Sequence, residues 1–286
     1  MAVNSVLEDA ALPPGDALPA TALLPSFTDE ELTILSAAPS LVVTPYLSSI
    51  APRDREPLLR TAYRGLLARG IIDPPSIDAR ARARAEIDRA VEEPPGRAED
   101  DDRPEVLGVD VAVRQDVAAM MTLRQAARAV VAVARTTALL QDYVYVHVVE
   151  DVLLIEEVSS DGHHRFALRD ADNLGATVLA ATVHPEAGDG AGEPAVLPPG
   201  AVGDPTPPAA VLEMAGLALL RCDLTVLTAD DDATMLGLFT APAGSWLFES
   251  AQGSGAPVHA RPVAVAELRS AVLAELAILG VRDAQS

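Results

Sequence analysis

The sequence contains no lysine, so arginine supplies all 21 of its basic residues. A phosphate-binding P-loop, a Schiff base and a lysine general base are therefore excluded. Cysteine is almost as scarce: Cys222 is the single thiol and cannot form a disulfide within the chain. Its apolar neighbours predict a small core residue, and this cysteine usage fits a reducing compartment.

Aromatic residues make up only 3% of the chain, although hydrophobic residues make up 49%. The core must therefore consist mainly of Ala, Val and Leu, and this apolar content excludes a disordered chain. Long apolar runs are also missing, because Arg128 and Arg135 interrupt the best candidate for a membrane span. The first residues lack the basic start of a signal peptide. We therefore expect a cytoplasmic protein without membrane insertion.

Acidic residues outnumber basic ones by 42 to 21, which gives a formal net charge of −21. Such a surface repels phosphate backbones and anionic lipid headgroups, so we expect no nucleic-acid partner. Neutral or basic proteins are the partners that this charge favours. The sequence predicts no particular oligomeric state.

Motifs for catalysis are absent: there is no nucleophile elbow, no catalytic Cys–His pattern and no dinucleotide-binding fingerprint. His163 and His164 follow Asp161, but neighbouring strand residues point to opposite faces and do not easily chelate one ion. This segment is predicted to be a solvated hairpin, and His147 a half-buried packing residue. Asp230–Asp232 is predicted to be a hairpin turn. No catalytic, cofactor-binding or metal-binding residue is predicted.

Two similar successions of elements fill the last two-thirds of the chain, which indicates an internal repeat. The first comprises a helix at Leu123–Leu140, strands at 143–149, 152–158 and 164–169, and a closing helix at Leu174–Val183. The second comprises a helix at Val211–Leu220, strands at 224–228, 234–240, 245–249 and 258–262, and a closing helix at 265–279. Turns at Glu150–Asp151, Asp161–Gly162 and Pro242–Gly244 make each set of strands an antiparallel meander.

These patterns predict an α+β fold with two pseudo-symmetric halves, each an antiparallel meander with helices, in one compact body. The predicted organisation is an extended leader at 1–26, a helical, winged-helix-like portion at 27–105 that ends in an acidic loop, a first half at 106–184, a Pro/Gly linker at 185–208 and a second half at 209–286. Cross-strand pairs of Arg165 or Arg169 with Glu156 or Glu157 are expected to add modest stability.

The second half carries the candidate partner-binding residues. Its strand 234–240 places Leu236 and Leu238 on one face and Phe239 on the other, and one of the faces is expected to pack inward. Trp246 is the only tryptophan, a residue type enriched at interface hot spots, although it also suits a core position. The predicted contact residues are Leu236, Leu238, Phe239 and Trp246.

Several segments resemble EspG-type chaperones of type VII (ESX) secretion in actinobacteria. The similar segments are the helix end Ala62–Ile71, the strand pair Val152–Arg169, the short strand Gly244–Leu247 and the strand Ala260–Val263 with the Leu/Ala-rich helix after it. The resemblance implies two pseudo-symmetric α+β halves. It also implies a cytosolic chaperone that binds helical PE–PPE heterodimers at an apolar tip of the PPE helical bundle and delivers them for export.

Other functions remain open at this point. Residues 27–75 suit a winged-helix transcriptional regulator whose remaining chain is a sensor, with one helix face that carries Arg55, Arg60, Arg64 and Arg69. An enzyme whose site is assembled from scattered carboxylates such as Glu156, Glu157 and Asp170 is a further alternative, as is an acidic scaffold protein. The leading expectation is a non-enzymatic chaperone or adaptor for a helical secretion substrate.

Overall fold

The computed structural model describes residues 24–36, 40–74, 112–197, 213, 216–228, 234–250 and 257–280. The predicted acidic loop at 92–105, the predicted turn at Asp230–Asp232 and most of the predicted leader lie outside the described residues. The helices are α1 (Asp29–Leu35), α2 (Pro45–Ser49), α3 (Pro52–Ala68), α4 (Gln115–Ala126), α5 (Leu174–Thr182) and α6 (Val265–Ala277). The strands are β1 (Phe27–Thr28), β2 (Ala129–Thr136), β3 (Gln141–Val149), β4 (Val152–Val158), β5 (His163–Asp170), β6 (Ala195–Leu197), β7 (Leu220–Thr228), β8 (Thr234–Ala241), β9 (Gly244–Ser250) and β10 (Val258–Val263).

These ten strands form one antiparallel sheet in the order β1-β5-β4-β3-β2-β7-β8-β9-β10-β6. The mixture of helices with a large antiparallel sheet confirms the predicted α+β class. The two predicted meanders are not separate, because β2 and β7 pair along eight residues from Ala129 to Thr136. The equivalence of the two halves stays a prediction.

The predicted helix at Leu123–Leu140 is wrong beyond its first residues. Helix α4 ends at Ala126, and the following Ala/Val run is strand β2. This strand lies in the middle of the sheet and is buried on both faces: Val131 is 0% exposed and Val130 is 7% exposed. A strand that is buried on both faces shows no alternation of apolar and polar residues. The alanines of β2 therefore suggest a helix by their propensity, whereas its β-branched valines favour a strand. Strand β7 likewise begins at Leu220, inside the predicted helix Val211–Leu220.

The observed hairpins agree closely with those predicted from the sequence. Val149 pairs with Val152, so Glu150 and Asp151 form the predicted two-residue turn between β3 and β4. Glu150 adopts a φ of 48°, which this type of tight turn requires. Ala241 pairs with Gly244 across the turn between β8 and β9. The closing helix α6 also begins where predicted, at Val265.

The main hydrophobic core lies between one face of the sheet and helices α5 and α6. It contains Val131, Val146 and Leu153 from the first half and Leu224 and Leu247 from the second. Because α5 contacts β2, β3 and β7, this core covers the junction where the two halves meet. A second, smaller cluster around Val130, Tyr145 and Val158 lies on the opposite face.

The chain divides into two compact units, one of residues 1–29, 40–49 and 123–286 and the other of residues 30–39 and 50–122. The first unit contains the sheet, and part of the predicted linker belongs to it: β6 pairs with β10 at Ala195–Leu197. The second unit contains α3, whose start at Pro52 suits a first-turn proline. Within it, Arg69 and Glu31 form an ion pair of 2.7 Å, and Ile72 bridges Val113. None of the described helices is both long and apolar enough to span a membrane.

Candidate functional site

The four predicted contact residues lie on opposite faces of the sheet. Leu236 is 7% exposed and Leu238 is 0% exposed, and both belong to the main core. Their assignment as contact residues is therefore wrong, since the side of the sheet that they face is the one covered by helices. Phe239 and Trp246 are directly opposite each other on β8 and β9 and face the other way. Both are half-buried.

Phe239 and Trp246 line a small pocket at one end of the sheet. The lining residues are Leu217, Ala218, Phe239, Ala241, Ala243, Gly244 and Trp246. Phe239 also packs on Phe248, with ring centroids 4.5 Å apart, which holds its ring in place. The pocket is apolar and accessible, so it suits an apolar side chain of a binding partner.

Four exposed leucines lie at this same end of the sheet. We call the set Leu139, Leu140, Leu217 and Leu219 the leucine end; their exposed fractions are 89%, 55%, 55% and 41%. Two belong to the turn between β2 and β3, and the other two immediately precede β7. Pairing brings them together: Thr136, the last residue of β2, is opposite Arg221, and the Leu219 amide donates to the Thr240 carbonyl. Such a grouping of exposed large apolar residues is typical of an interaction site.

The sequence did not reveal the leucine end. Leu139 and Leu140 were placed inside the predicted helix, where an amphipathic arrangement would bury them. Only the strand assignment of β2 turns residues 137–140 into an exposed hairpin turn, in which the Thr137 amide donates to the Leu140 carbonyl. Two leucines at a hairpin turn, where polar residues are usual, were the available signal.

A buried network of charged side chains lies on the same face of the sheet in the first half. Glu156 on β4 is 0% exposed and accepts hydrogen bonds from Arg124 Nε at 2.8 Å and Arg124 Nη2 at 3.1 Å. Its Oε2 atom also lies 2.9 Å from His147 Nε2, and its Oε1 atom lies 2.7 Å from His164 Nδ1. Helix α4 and strands β3, β4 and β5 are thus joined through one carboxylate.

His164 extends this network to Asp29, the first residue of α1, and through it to α2. Its Nε2 atom lies 2.7 Å from Asp29 Oδ1, and Asp29 Oδ2 accepts the Leu47 amide proton at 2.9 Å. The prediction of a solvated hairpin is therefore wrong for His164, which is 0% exposed, and fits only His163. His147 is also fully buried rather than half-buried. The partner Asp29 is 135 residues away in sequence, so no local sequence pattern predicts this bond.

The network shifts the pKa of two of its members, His164 and Glu156. Burial alone lowers the pKa of His164, but hydrogen bonds to Asp29 and Glu156 and their negative charges outweigh it, so the pKa is raised. Burial raises the pKa of Glu156, but hydrogen bonds from His147 and His164 and the Arg124 guanidinium outweigh it, so the pKa is lowered far below its usual range. Two carboxylates are thus balanced by an imidazolium and a guanidinium.

The arrangement of this network favours a structural role. Its carboxylates and His164 are fully buried, and every carboxylate oxygen is saturated by a donor, so a substrate has no access to them. Of the predicted cross-strand pairs, Arg165 and Glu157 form one at 3.8 Å at the surface. The prediction is wrong for Arg169, whose Nε and Nη1 atoms are buried without a hydrogen-bond partner. Among the described residues, no group of three His, Cys, Asp or Glu side chains is arranged to hold a metal ion.

Cys222 lies in the main core and is 1% exposed, as predicted for a small core residue. Burial raises the pKa of its thiol to about 12, and its Sγ atom lies 3.6 Å from the Ala181 carbonyl oxygen on α5. A thiol in this state is a packing group rather than a nucleophile.

Comparison with known proteins adds no identification. The chain matches no protein-family model and no curated protein sequence. The fold and the leucine end therefore carry the functional argument.

Proposed function

We propose that this protein is a non-enzymatic, cytosolic chaperone or adaptor that binds a helical secretion substrate for type VII (ESX) export. The observation that carries this proposal is the leucine end, a group of exposed leucines beside the Phe239–Trp246 pocket. A protein that binds an apolar segment needs an exposed apolar surface, and this chain has one at one end of the central strands of its sheet.

The charge of the chain supports the same function. A net charge of −21 favours solubility and opposes self-association, while the leucine end is apolar. A substrate segment that aggregates in water is kept soluble when it binds such a surface, because the complex takes over the charge of the chaperone. The acidic balance argues against the alternative of a DNA-binding regulator.

The EspG-like segments support a particular class of substrate. Chaperones of that family bind helical PE–PPE heterodimers at an apolar tip. An apolar tip has the same chemical character as the leucine end and its pocket, so the two surfaces are expected to bury each other.

Affinity purification from the native host tests the proposal. The bait variant replaces the four residues of the leucine end with serine. A matched control replaces two exposed apolar residues outside it, Leu41 and Ile278, which are 67% and 57% exposed, with serine. Quantitative mass spectrometry compares the proteins retained by wild-type protein, variant and control, and circular dichroism shows that all three are folded.

We expect wild-type protein and the control to retain a small helical protein that the host also secretes, and the leucine-end variant to lose it. Co-expression of that protein with and without the chaperone then checks whether its solubility depends on the leucine end. Retention of no secreted helical protein, or equal retention by the leucine-end variant, contradicts the proposal.

A further inference from the structure

An arginine lies between the leucine end and the aromatic pocket. Strand pairing puts Arg221 on β7 directly opposite Phe239 on β8, and Phe239 opposite Trp246 on β9. On the other side, Arg221 is opposite Thr136 on β2. Directly paired residues share a face of the sheet, so these four side chains form one row across four strands. We call Thr136, Arg221, Phe239 and Trp246 the arginine–aromatic row.

One buried nitrogen of the Arg221 guanidinium has no hydrogen-bond acceptor. Its Nε atom is buried and has no hydrogen-bond partner. Within the described part of the chain, no acidic side chain forms an ion pair with it, although Asp223 lies two residues further along the same face. A buried guanidinium nitrogen without a partner is costly, so an acceptor that reaches it when a partner binds would add stability to the complex.

Arg135, a second arginine at this end of the sheet, has its hydrogen bonds satisfied within the protein. It lies on the main-core face, where its Nε and Nη2 atoms donate to Asp142 at 2.7 and 2.8 Å. The protein thus satisfies Arg135 with two bonds and leaves the Nε atom of Arg221 without an acceptor beside an exposed apolar surface. This contrast points to an acceptor supplied by a partner.

We propose that the arginine–aromatic row and the leucine end bind an amphipathic helix that presents an acidic side chain to Arg221 and an apolar side chain to the Phe239–Trp246 pocket. This inference rests on the proposed function and adds the charge that the substrate must carry. The acidic residue is a glutamate or aspartate on the apolar face of that helix, where a carboxylate is otherwise unfavourable. Its bond to Arg221 therefore selects for substrates that carry it.

The spacing of the strands sets the spacing on the helix. Trp246 and Arg221 are two strands apart, which is ~10 Å at the usual separation of strands. A helix rises ~1.5 Å per residue, so a helix laid across the strands covers that distance in about seven residues, or two turns. The carboxylate is therefore expected two turns from the residue that fills the pocket.

Trp246 provides a direct signal for the test, because it is the only tryptophan in the chain. The probes are alanine-based helical peptides of roughly 16 residues, acetylated and amidated, with no aromatic residue. Each carries two leucines one turn apart. The first peptide has a glutamate two turns after the first leucine, the second has a glutamine there, and the third has the glutamate on the opposite face. Emission from the full-length protein is followed during titration at low salt.

We expect the first peptide to shift the emission of Trp246 to shorter wavelength and to bind roughly tenfold more tightly than the other two, as a charge-assisted bond at a desolvated site provides. Arg221→Gln is expected to reduce the affinity for the first peptide to that for the second, and to leave the second unchanged. The control Arg135→Gln lies at the same end of the sheet and is expected to preserve the preference, because Asp142 already occupies that arginine.

Other outcomes overturn the inference. Equal affinities of the three peptides mean that an apolar helix binds without recognition of its charge. The proposed function then stands, but the role proposed for Arg221 is wrong. A Trp246 shift that depends on protein concentration without peptide indicates a second copy as the occupant. If no peptide binds but the host substrate does, again only this inference fails; if neither binds, both fail.

Discussion

His164 Nδ1 and Glu156 Oε1 lie 2.7 Å apart in a part of the sheet where neither side chain is exposed to solvent. This bond is central to a network that connects strands β3, β4 and β5 with helices α1, α2 and α4. Each member is charged or strongly polar, and each depends on its neighbours for charge balance. The network therefore provides sharp tests of the fold.

Replacing Glu156 with glutamine is expected to destabilise the protein by about 3–5 kcal/mol, as for a buried pair from which one charge is removed. The substitution leaves two buried cations, Arg124 and the imidazolium of His164, with Asp29 as the one remaining carboxylate of the network. Urea unfolding measures the change. Glu157→Gln is the matched control on the neighbouring position, and it is expected to cost less than about 1 kcal/mol because its pair with Arg165 is exposed.

Stability is expected to be highest between about pH 4.3 and pH 6.5, the ordinary pKa values of glutamate and histidine. The raised pKa of His164 contributes stability that is complete below pH 6.5 and is lost as the pH rises through the folded-state pKa. The lowered pKa of Glu156 contributes stability that is present above pH 4.3 and is lost as the pH falls towards its folded-state pKa. Thermal unfolding as a function of pH measures both slopes.

The variant His164→Gln separates these contributions. It is expected to be less stable than wild type at pH 6 and to lose the decline that wild type shows as the pH rises above 6.5. An unchanged alkaline slope in this variant would show that another group is responsible.

The segment before β6 is expected to tolerate no side chain at Gly190. A Cβ atom built there overlaps the Ser245 carbonyl oxygen and lies 2.7 Å from the Val263 amide nitrogen. The Gly190 amide itself donates to the Val263 carbonyl at 2.8 Å, so the segment cannot withdraw without losing this bond. Gly190→Ala is expected to cost about 1–3 kcal/mol, as overpacking does.

Gly216→Ala is the matched control, because a Cβ atom at this position has no neighbour within 4 Å. Its effect on urea unfolding is expected to stay within about 1 kcal/mol of wild type, with a gain where alanine restricts the unfolded chain. Equal effects of the two substitutions would mean that the segment at Gly190 has room for a side chain.

Cys222 is expected to be unreactive in the folded protein. With burial raising the pKa of its thiol to about 12, the thiolate that attacks a disulfide reagent is nearly absent at pH 8. Ellman's reagent should detect no thiol in native protein and one thiol per chain in denaturant. Rapid reaction of native protein would place Cys222 outside the core.

Part of the candidate site was predictable and part was not. Phe239 and Trp246 were identified from alternation and from the rarity of tryptophan, and the alternation of β8 was also correct. The sequence does not predict which face of β8 is covered, because Leu236 on one face and Phe239 on the other are both apolar. The packing of α5 and α6 against the Leu236 face decides this. The leucine end required the strand assignment of β2, which its uninterrupted Ala/Val pattern does not supply.

The sequence by itself determined the features that depend on neighbours along the chain. These are the α+β class, the tight turn at Glu150–Asp151, the antiparallel meanders and the closing helices, because alternation, turn chemistry and helical periodicity are local properties. Tertiary structure alone decided the pairing of β2 with β7, which joins the halves into one sheet. It also decided the bond from His164 to Asp29 and the unsatisfied position of Arg221. These depend on desolvation and on partners far apart in sequence, and neither is encoded in a local pattern.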